Sequence, residues 1–525
     1  MARRAGRLSR ARFWPGAITL IALGALAFGP IAVLLLHAGG EGGFSRADLA
    51  AIRFTLVQST LSALISVLLA IPFARALARR QFAGRGLIIA FLGAPFLLPV
   101  IVAILGLLAV WGRSGLVSDL SQSVGGPVIS IYGLGGVVLA HVFFNLPLVT
   151  RLLLQGWAAI PPERFRLAAQ LGMGPRPVFR LLEAPMLRAV VPGAFLLVFL
   201  LCMTSFAVAL TLGGGPRATT VELAIYQALR FDFDLGAAAR LALVQLGLCA
   251  AVAGLAVLVG RPAEFGRGQG RLRRRWDAPG GIWPAIDGGV IALALAFLLP
   301  PLGLVILRGG AALLSGMPPG LWPAAATSLA LALSAALLTV AAAMSLAMLI
   351  TGLPRARGAL AEGVGLLVLS VSPFVMGTGL FLMIRAVADP FDWALVMTGL
   401  INAAMSLPFA LRALVPALTR VEADYGRLAD SLGMRGFGRM RLLVLPQLRA
   451  PLAFSAGLAA ALSMGDLGVI TLFAPPELET LPLFMYRLMG AYRMQDAAGA
   501  ALVLLTLSLA IFWLIDRGGR HDAAT

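Results

Sequence analysis

Few residues in this sequence are spaced for covalent chemistry. The three histidines, His37, His141 and His521, have no partner at a metal-binding or acid–base spacing, and Cys202 and Cys249 both lie in apolar runs, where a thiol packs as a small hydrophobe. Leu212-Gly213-Gly214-Gly215-Pro216 resembles a phosphate-cradling loop only superficially, because no strand precedes it and no Lys follows. It reads better as a turn. All 42 basic residues are Arg, so the chain cannot supply the Lys of a nucleotide-binding P-loop. No catalytic residue, metal ligand or cofactor is assigned, and the chain is not read as an enzyme. One acid stands out: Asp466 lies inside an apolar run, where a charge costs roughly 2.5–3.5 kcal/mol on insertion scales. It is expected to face a cavity or a partner.

The elements that must position these residues follow from composition. Of the 525 residues 60% are hydrophobic and only 12% charged, whereas a soluble domain carries about 25% charged residues. The apolar residues fall into blocks of about twenty, the length of helix that spans about 30 Å of hydrocarbon. The sequence predicts an all-α polytopic membrane protein of about 12 transmembrane helices in two homologous six-helix halves. The expected spans of the first half are 16–37, 54–76, 87–111, 134–157, 188–212 and 236–260; those of the second are 286–307, 323–350, 359–386, 393–415, 447–473 and 496–515. The N-terminal apolar run, Phe13 to Leu36, is longer than the usual core of a signal peptide and is read as a retained first span.

The net charge of +19 does not indicate nucleic acid, because the arginines sit in alternate connections between apolar blocks rather than on one face. Arg75, Arg79, Arg80 and Arg85, then Arg164, Arg166, Arg176 and Arg180, then Arg420, Arg427, Arg435, Arg439 and Arg441 all fall on one side. The positive-inside rule makes that side cytoplasmic, together with both termini. The intervening connections are richer in acids, and Glu222, Asp232 and Asp234 are placed at the outer face. Residues 261–283, basic and Gly-rich, read as a cytoplasmic linker between a first half, 1–260, and a second half, 284–525.

One pattern is present twice at fixed spacing. Asn145-Leu146-Pro147 is followed by RLAAQLGMG at 166–174 and by Pro185; Ser406-Leu407-Pro408 is followed by RLADSLGMR at 427–435 and by Pro446. Each first Pro lies 25 residues before the central Gly (Pro147 to Gly172, Pro408 to Gly433), and each last Pro lies 13 after it. Pro95-Phe96 corresponds in the same way to Pro373-Phe374. Each motif lies in a long connection, about 158–187 and about 416–446, with helical periodicity at Phe165, Ala168, Ala169 and Gly172 or Met173. Ala, Ala and Gly would leave a smooth helix face open to close approach. Such a helix is either a docking element for another protein or a helix lying at the lipid interface, and its repetition favours docking.

The motif resembles the cytoplasmic coupling loop of ATP-binding-cassette importer permeases: Glu-Ala-Ala, three residues, Gly, then a hydrophobic residue and Leu-Pro. Here the second Ala falls on Ala168 and Ala429, the Gly on Gly172 and Gly433, the hydrophobic residue on Leu182 and Leu443, and the final Pro on Pro185 and Pro446. The sequence departs from the pattern at Arg166 and Arg427 in the Glu position, at Leu167 and Leu428 in the first Ala position, and at Ala184 before the last Pro. The remaining coupling residues by this resemblance are Ala169, Met173, Asp430 and Met434. One branch of the family fuses both membrane domains in one chain and includes permeases for ferric iron and for thiamine. Residues 202–242, 167–173 and 462–473 are similar to the thiamine (and thiamine phosphate) permeases. The resemblance implies a bacterial inner-membrane subunit that works with two copies of a cytoplasmic ATPase and a periplasmic substrate-binding protein. It also implies uptake of thiamine or its phosphates, with ferric iron the alternative.

Within that frame Asp466 has two readings, a pathway residue for a cationic substrate or a structural hydrogen bond to a neighbouring helix. Ser205 is a second candidate pathway residue. A secondary transporter also has repeats and twelve spans, and broken helices with several buried charges would mark it. The paired motif and the scarcity of buried charge favour the primary-active importer.

Overall fold

In hydrocarbon every backbone N–H and C=O must find a partner within its own segment, so apolar runs of this length fold as helices. The computed structural model describes residues 10–38, 43–93, 98–259, 280–367, 371–475 and 477–520, and their regular structure is wholly helical. The first half comprises α1 (Arg10–Ala38), α2 (Arg46–Arg79), α3 (Arg85–Phe91), α4 (Val100–Trp111), α5 (Leu116–Ser123), α6 (Leu134–Ala159), α7 (Pro162–Gln170), α8 (Pro175–Val178), α9 (Ala184–Met203), α10 (Phe206–Leu212), α11 (Val221–Arg230) and α12 (Leu235–Val259). The second comprises α13 (Trp283–Ser315), α14 (Leu321–Gly352), α15 (Arg355–Leu367), α16 (Pro373–Arg385), α17 (Ala394–Ser431), α18 (Gly436–Arg439), α19 (Leu445–Met464), α20 (Gly468–Phe473), α21 (Leu481–Gly490) and α22 (Met494–Arg520).

Eleven helical stretches among the described residues are long and apolar enough to cross a bilayer, and the shorter α16 occupies the remaining position of the second half. Four expected spans are not continuous. Span three divides into α3 and α4 and span nine into α15 and α16. Pro95 and Phe96, residues 260–279, which include most of the linker, and His521 lie outside the described residues. Span five breaks after Met203, where Ser205 turns extended (φ −93°, ψ 98°) before α10 begins, and span eleven breaks after Met464 at Gly465–Leu467 before α20. Two ten-residue helices, α11 and α21, follow these breaks within connections that the sequence reading placed outside the spans.

The helices interlock across the two halves. α1 packs against α14 and α16 as well as α12, and α13 packs against α4 and α2 as well as α22. Two of these crossings, α1 on α16 and α13 on α4, bring a Pro onto a Gly. Pro30 of α1 sits so close to Gly379 of α16 that an added Cβ would lie 2.4 Å from the Pro30 Cβ; a Cβ added at Gly106 of α4 would lie 2.5 Å from the carbonyl oxygen of Pro301 of α13. An ion pair also joins the halves: Arg80 Nε lies 2.7 Å from Asp287 Oδ2, and Arg79 Nη1 3.8 Å from Oδ1, with Arg79 and Asp287 both buried.

Candidate functional site

The repeated motifs form two matching helix–turn–helix elements. α7 ends in a Schellman turn, with Met173 N donating to Ala168 O at 2.9 Å and Gly172 N to Ala169 O at 3.1 Å. α17 ends in the same way, with Met434 N donating to Ala429 O at 2.9 Å and Gly433 N to Asp430 O at 3.1 Å. Gly172 and Gly433 take φ of +60° and +66°, the left-handed conformation that favours Gly. After the turn come α8 and a π-helical turn at Phe179–Glu183, matched by α18 and a π-helical turn at Met440–Val444. Pro185 and Pro446 explain that turn. A Pro has no N–H and its ring clashes with the carbonyl four residues back, so the hydrogen-bond register slips just before it. From the turn into the next span the copies keep one offset, 261 residues (Phe179 to Met440, Ala184 to Leu445).

The motif residues divide between two faces. Ala168 and Ala429 are buried against the chain's own helices, and Phe165 and Val178 complete a small core beneath the first turn. The smooth alanine face therefore looks inward, because the π-turn folds the next span back over it. The outward face carries Leu167 and Leu171 in one copy and Leu428 and Leu432 in the other, all more than half exposed. Arg166 and Arg427 are exposed with them, Ala169 and Met173 are half-buried, and no added Cβ at Gly172 or Gly433 would meet an atom within 4 Å. The two copies are braced differently. In the first, Glu183 is fully buried, pairs with Arg75 Nε at 2.7 Å and accepts from Trp157 Nε1 at 3.3 Å. In the second, Arg439 bridges Asp430 (Nη1 to Oδ1, 2.6 Å) and Glu422.

The second site lies at the breaks of spans five and eleven. Ser205 and Asp466 are equivalent positions of the repeat. Helix breaks free carbonyls that must be bonded elsewhere, and two amides meet this need: Gln58 Nε2 donates to Cys202 O at 2.9 Å and Gln245 Nε2 to Met203 O at 3.0 Å. Asp466 uses the opposite device. Its Oδ1 accepts from Gly468 N at 3.1 Å and Val469 N at 3.3 Å and so caps α20, while its buried Oδ2 has no partner. Both bonds run to the helix that directly follows it; of the neighbouring helices, α17 brings the Asn402 amide to the same carboxyl group. Ser205 precedes α10 without a side-chain cap.

Glu222, expected among the acids of an outer connection, is not solvent-exposed. It is 1% exposed on α11, where its Oε1 accepts from the hydroxyl of Ser372, the N-cap of α16 in the opposite half, and its Oε2 has no partner. α11 is drawn inward because Val221 N is capped by Thr55 Oγ1 at 2.9 Å; in the other half Leu481 N is capped by Ser328 Oγ at 2.7 Å. Between the halves the rings of Phe206 and Phe374 meet at 4.2 Å between centroids, with Tyr226 on Phe206 at 5.4 Å. His141, given no role from sequence, is buried beside Ser62 (Nδ1 to Oγ, 3.2 Å), and its Nε2 is unpartnered. The sequence signals for these residues are lone amides and a lone His within apolar runs.

No protein-family profile matches the chain. Curated proteins do. It is 44% identical over 512 residues to the thiamine transport system permease protein of Brucella abortus, covering 96% of this chain and 94% of the relative. It is 42% identical over 479 residues to the protein of that name from Escherichia coli, covering 89% and 88%. The chain belongs to the thiamine transport system permease family. A molybdenum transport system permease protein of Azotobacter vinelandii is 32% identical over 181 residues, which is 34% of this chain but 80% of the relative. The permease is thus a multi-pass inner-membrane protein of the all-α importer type, and a segment of about a third of the chain matches most of a separate permease.

Proposed function

We propose that the permease carries thiamine or its phosphates from periplasm to cytoplasm as the membrane subunit of a complex driven by a separate ATPase. The observation that carries this reading is the likeness to thiamine permeases across nearly the whole chain. A periplasmic binding protein delivers the substrate to the outer face, and both termini lie in the cytoplasm, as the Arg distribution favours. Residues 1–260 and 284–525 act as two halves, each with its own coupling element. In this reading Arg166, Leu167, Ala168, Ala169, Gly172, Met173 and Pro185, with Arg427, Leu428, Ala429, Asp430, Gly433, Met434 and Pro446, serve the two ATPase subunits. The outward leucine pairs seat in the ATPase grooves, while the alanines and prolines hold the element to the span behind it. Ser205 and Asp466 lie on the substrate path.

Broken spans and buried charges, like the repeats and the span number, are shared with secondary transporters. The matched coupling elements favour the ATPase-driven reading, since they have no use in a carrier that works alone. The test is transport by the reconstituted complex with its binding protein, comparing labelled thiamine with ferric chelates. Thiamine uptake that depends on internal ATP is expected; iron uptake without thiamine uptake would sink the assignment.

A further inference from the structure

Two carboxylates at the junction of the halves each leave one oxygen buried and unbonded: Glu222 Oε2 and Asp466 Oδ2. An acid held in so apolar a setting is costly unless it has a partner or a use. The fold already uses the other oxygen of each, Asp466 Oδ1 to cap α20 and Glu222 Oε1 to accept from Ser372. Either purpose could be served by a neutral amide, so the charge itself is unexplained by packing.

The two acids belong to one cluster. Ser372 Oγ, bonded to Glu222, also accepts from Phe374 N at 3.2 Å. The Phe374 ring lies tilted against Phe206, and Gly468 closes against both: a Cβ at Gly468 would stand 3.2 Å from Phe374 Cε2, 3.8 Å from Phe206 Cδ1 and 3.7 Å from Asp466 Oδ1. Tyr226, one turn beyond Glu222 on α11, packs on the edge of Phe206. The cluster draws on four elements, α10 and α11 of the first half with α16 and α20 of the second. Both aromatic rings and both acids therefore separate or approach as the halves move.

We propose that Glu222, Asp466, Phe206 and Phe374 form an internal recognition site for a flat aromatic cation, closed in this structure by the Glu222–Ser372 hydrogen bond and opened when the halves part. Ring faces attract an organic cation and the two carboxylates supply the counter-charge. Parting the halves breaks the Ser372 contact, which frees Glu222 to face the substrate at the moment the path opens. This site deepens the thiamine reading and rests on it, since the thiazolium ring is such a cation.

The experiment uses the full chain in proteoliposomes with its ATPase and binding protein, and reads uptake of labelled thiamine per assembled complex. Glu222→Gln keeps the length and the Ser372 contact but removes the charge; Glu222→Asp keeps the charge on a shorter arm. Uptake is expected to fall by about tenfold or more in Glu222→Gln, the scale of losing a contact to a charged group, and by less in Glu222→Asp. Asp466→Asn, which retains an oxygen to cap α20, is also expected to lower uptake. The reverse order at position 222 would mark a packing role and overturn the proposal, as would full uptake in both Glu222→Gln and Asp466→Asn. If Glu222→Gln fails to assemble, Asp466→Asn alone decides. Absence of thiamine uptake by the wild type would sink the transport reading itself, whereas wild-type uptake with indifferent variants would sink this site alone.

Discussion

At Gly172 and Gly433 the absence of a side chain serves two ends, and substitutions separate them. The positive φ costs a non-Gly residue roughly 1–2 kcal/mol, while the open space in front of each Gly is where a docked ATPase would lie. Gly172→Ala is therefore expected to insert normally and to keep most uptake. Gly172→Arg and Gly433→Arg are expected to insert normally and abolish uptake, because a long side chain holds the ATPase off a contact where losses of about 2 kcal/mol or more are common. Co-purification of the ATPase and stimulated ATP hydrolysis read this directly. Full stimulation in both Arg variants would replace the docking reading with that of an interfacial helix. The spacing of these glycines was legible in the sequence because a Schellman turn requires one. The outward leucine pairs were not, because an element turned back on its own span shows the same apolar periodicity whichever face is buried.

At the scale of the element, the break in span five depends on side chains far away in sequence. Gln58→Leu would leave the Cys202 carbonyl buried and unbonded, at a cost of about 1–3 kcal/mol. A lower thermal transition of the purified permease is expected; an unchanged transition would mean that another donor reaches the carbonyl. In the second half backbone donors serve the end of α19, Gly465 N to Ala461 O and Asp466 N to Ser463 O at 3.3 Å each, while the Asp466 carboxylate caps the other side of the break by accepting from α20. Hydropathy reported spans five and eleven as single runs because the residues on both sides of each break are equally apolar. What betrays the breaks is polar and local: Thr204-Ser205 in one copy and Gly465-Asp466 in the other. α11 was missed for a related reason, since a buried acid such as Glu222 reads as a loop residue until its partner is known.

At the scale of the whole molecule, the crossings of α1 and α13 make each half incomplete alone. A Cβ at Gly379 would meet the backbone and ring of Pro30, and one at Gly106 the carbonyl of Pro301, so neither neighbour can yield by a rotamer change. Gly379→Leu and Gly106→Leu are expected to lower the yield of folded permease, an overpacking penalty of about 1–3 kcal/mol or more. Size-exclusion profiles in detergent would read the loss, and wild-type profiles for both would show that the crossings are loose. Cutting the chain within 261–279 and co-expressing the pieces is expected to restore uptake, whereas either piece alone is expected to be degraded. The number of spans and the twofold repeat were legible from hydropathy and motif spacing. The exchange of first helices was not, because it depends on which helices meet in space, and a Pro on one helix carries no mark of the Gly it will find on another.

That exchange also sets a timetable for synthesis. α1 leaves the ribosome well before α16: Gly379, the seat for Pro30, emerges hundreds of residues later. At the pace of translation, about 5–20 residues per second, α1 waits roughly 20–70 s in the bilayer with that seat empty. α12 can shelter part of it meanwhile, but the groove around Pro30 stays bare to lipid, to insertion chaperones and to membrane proteases. A ribosome that stalls before α16 thus leaves α1 with that seat empty, a product that differs from the finished fold at a defined groove.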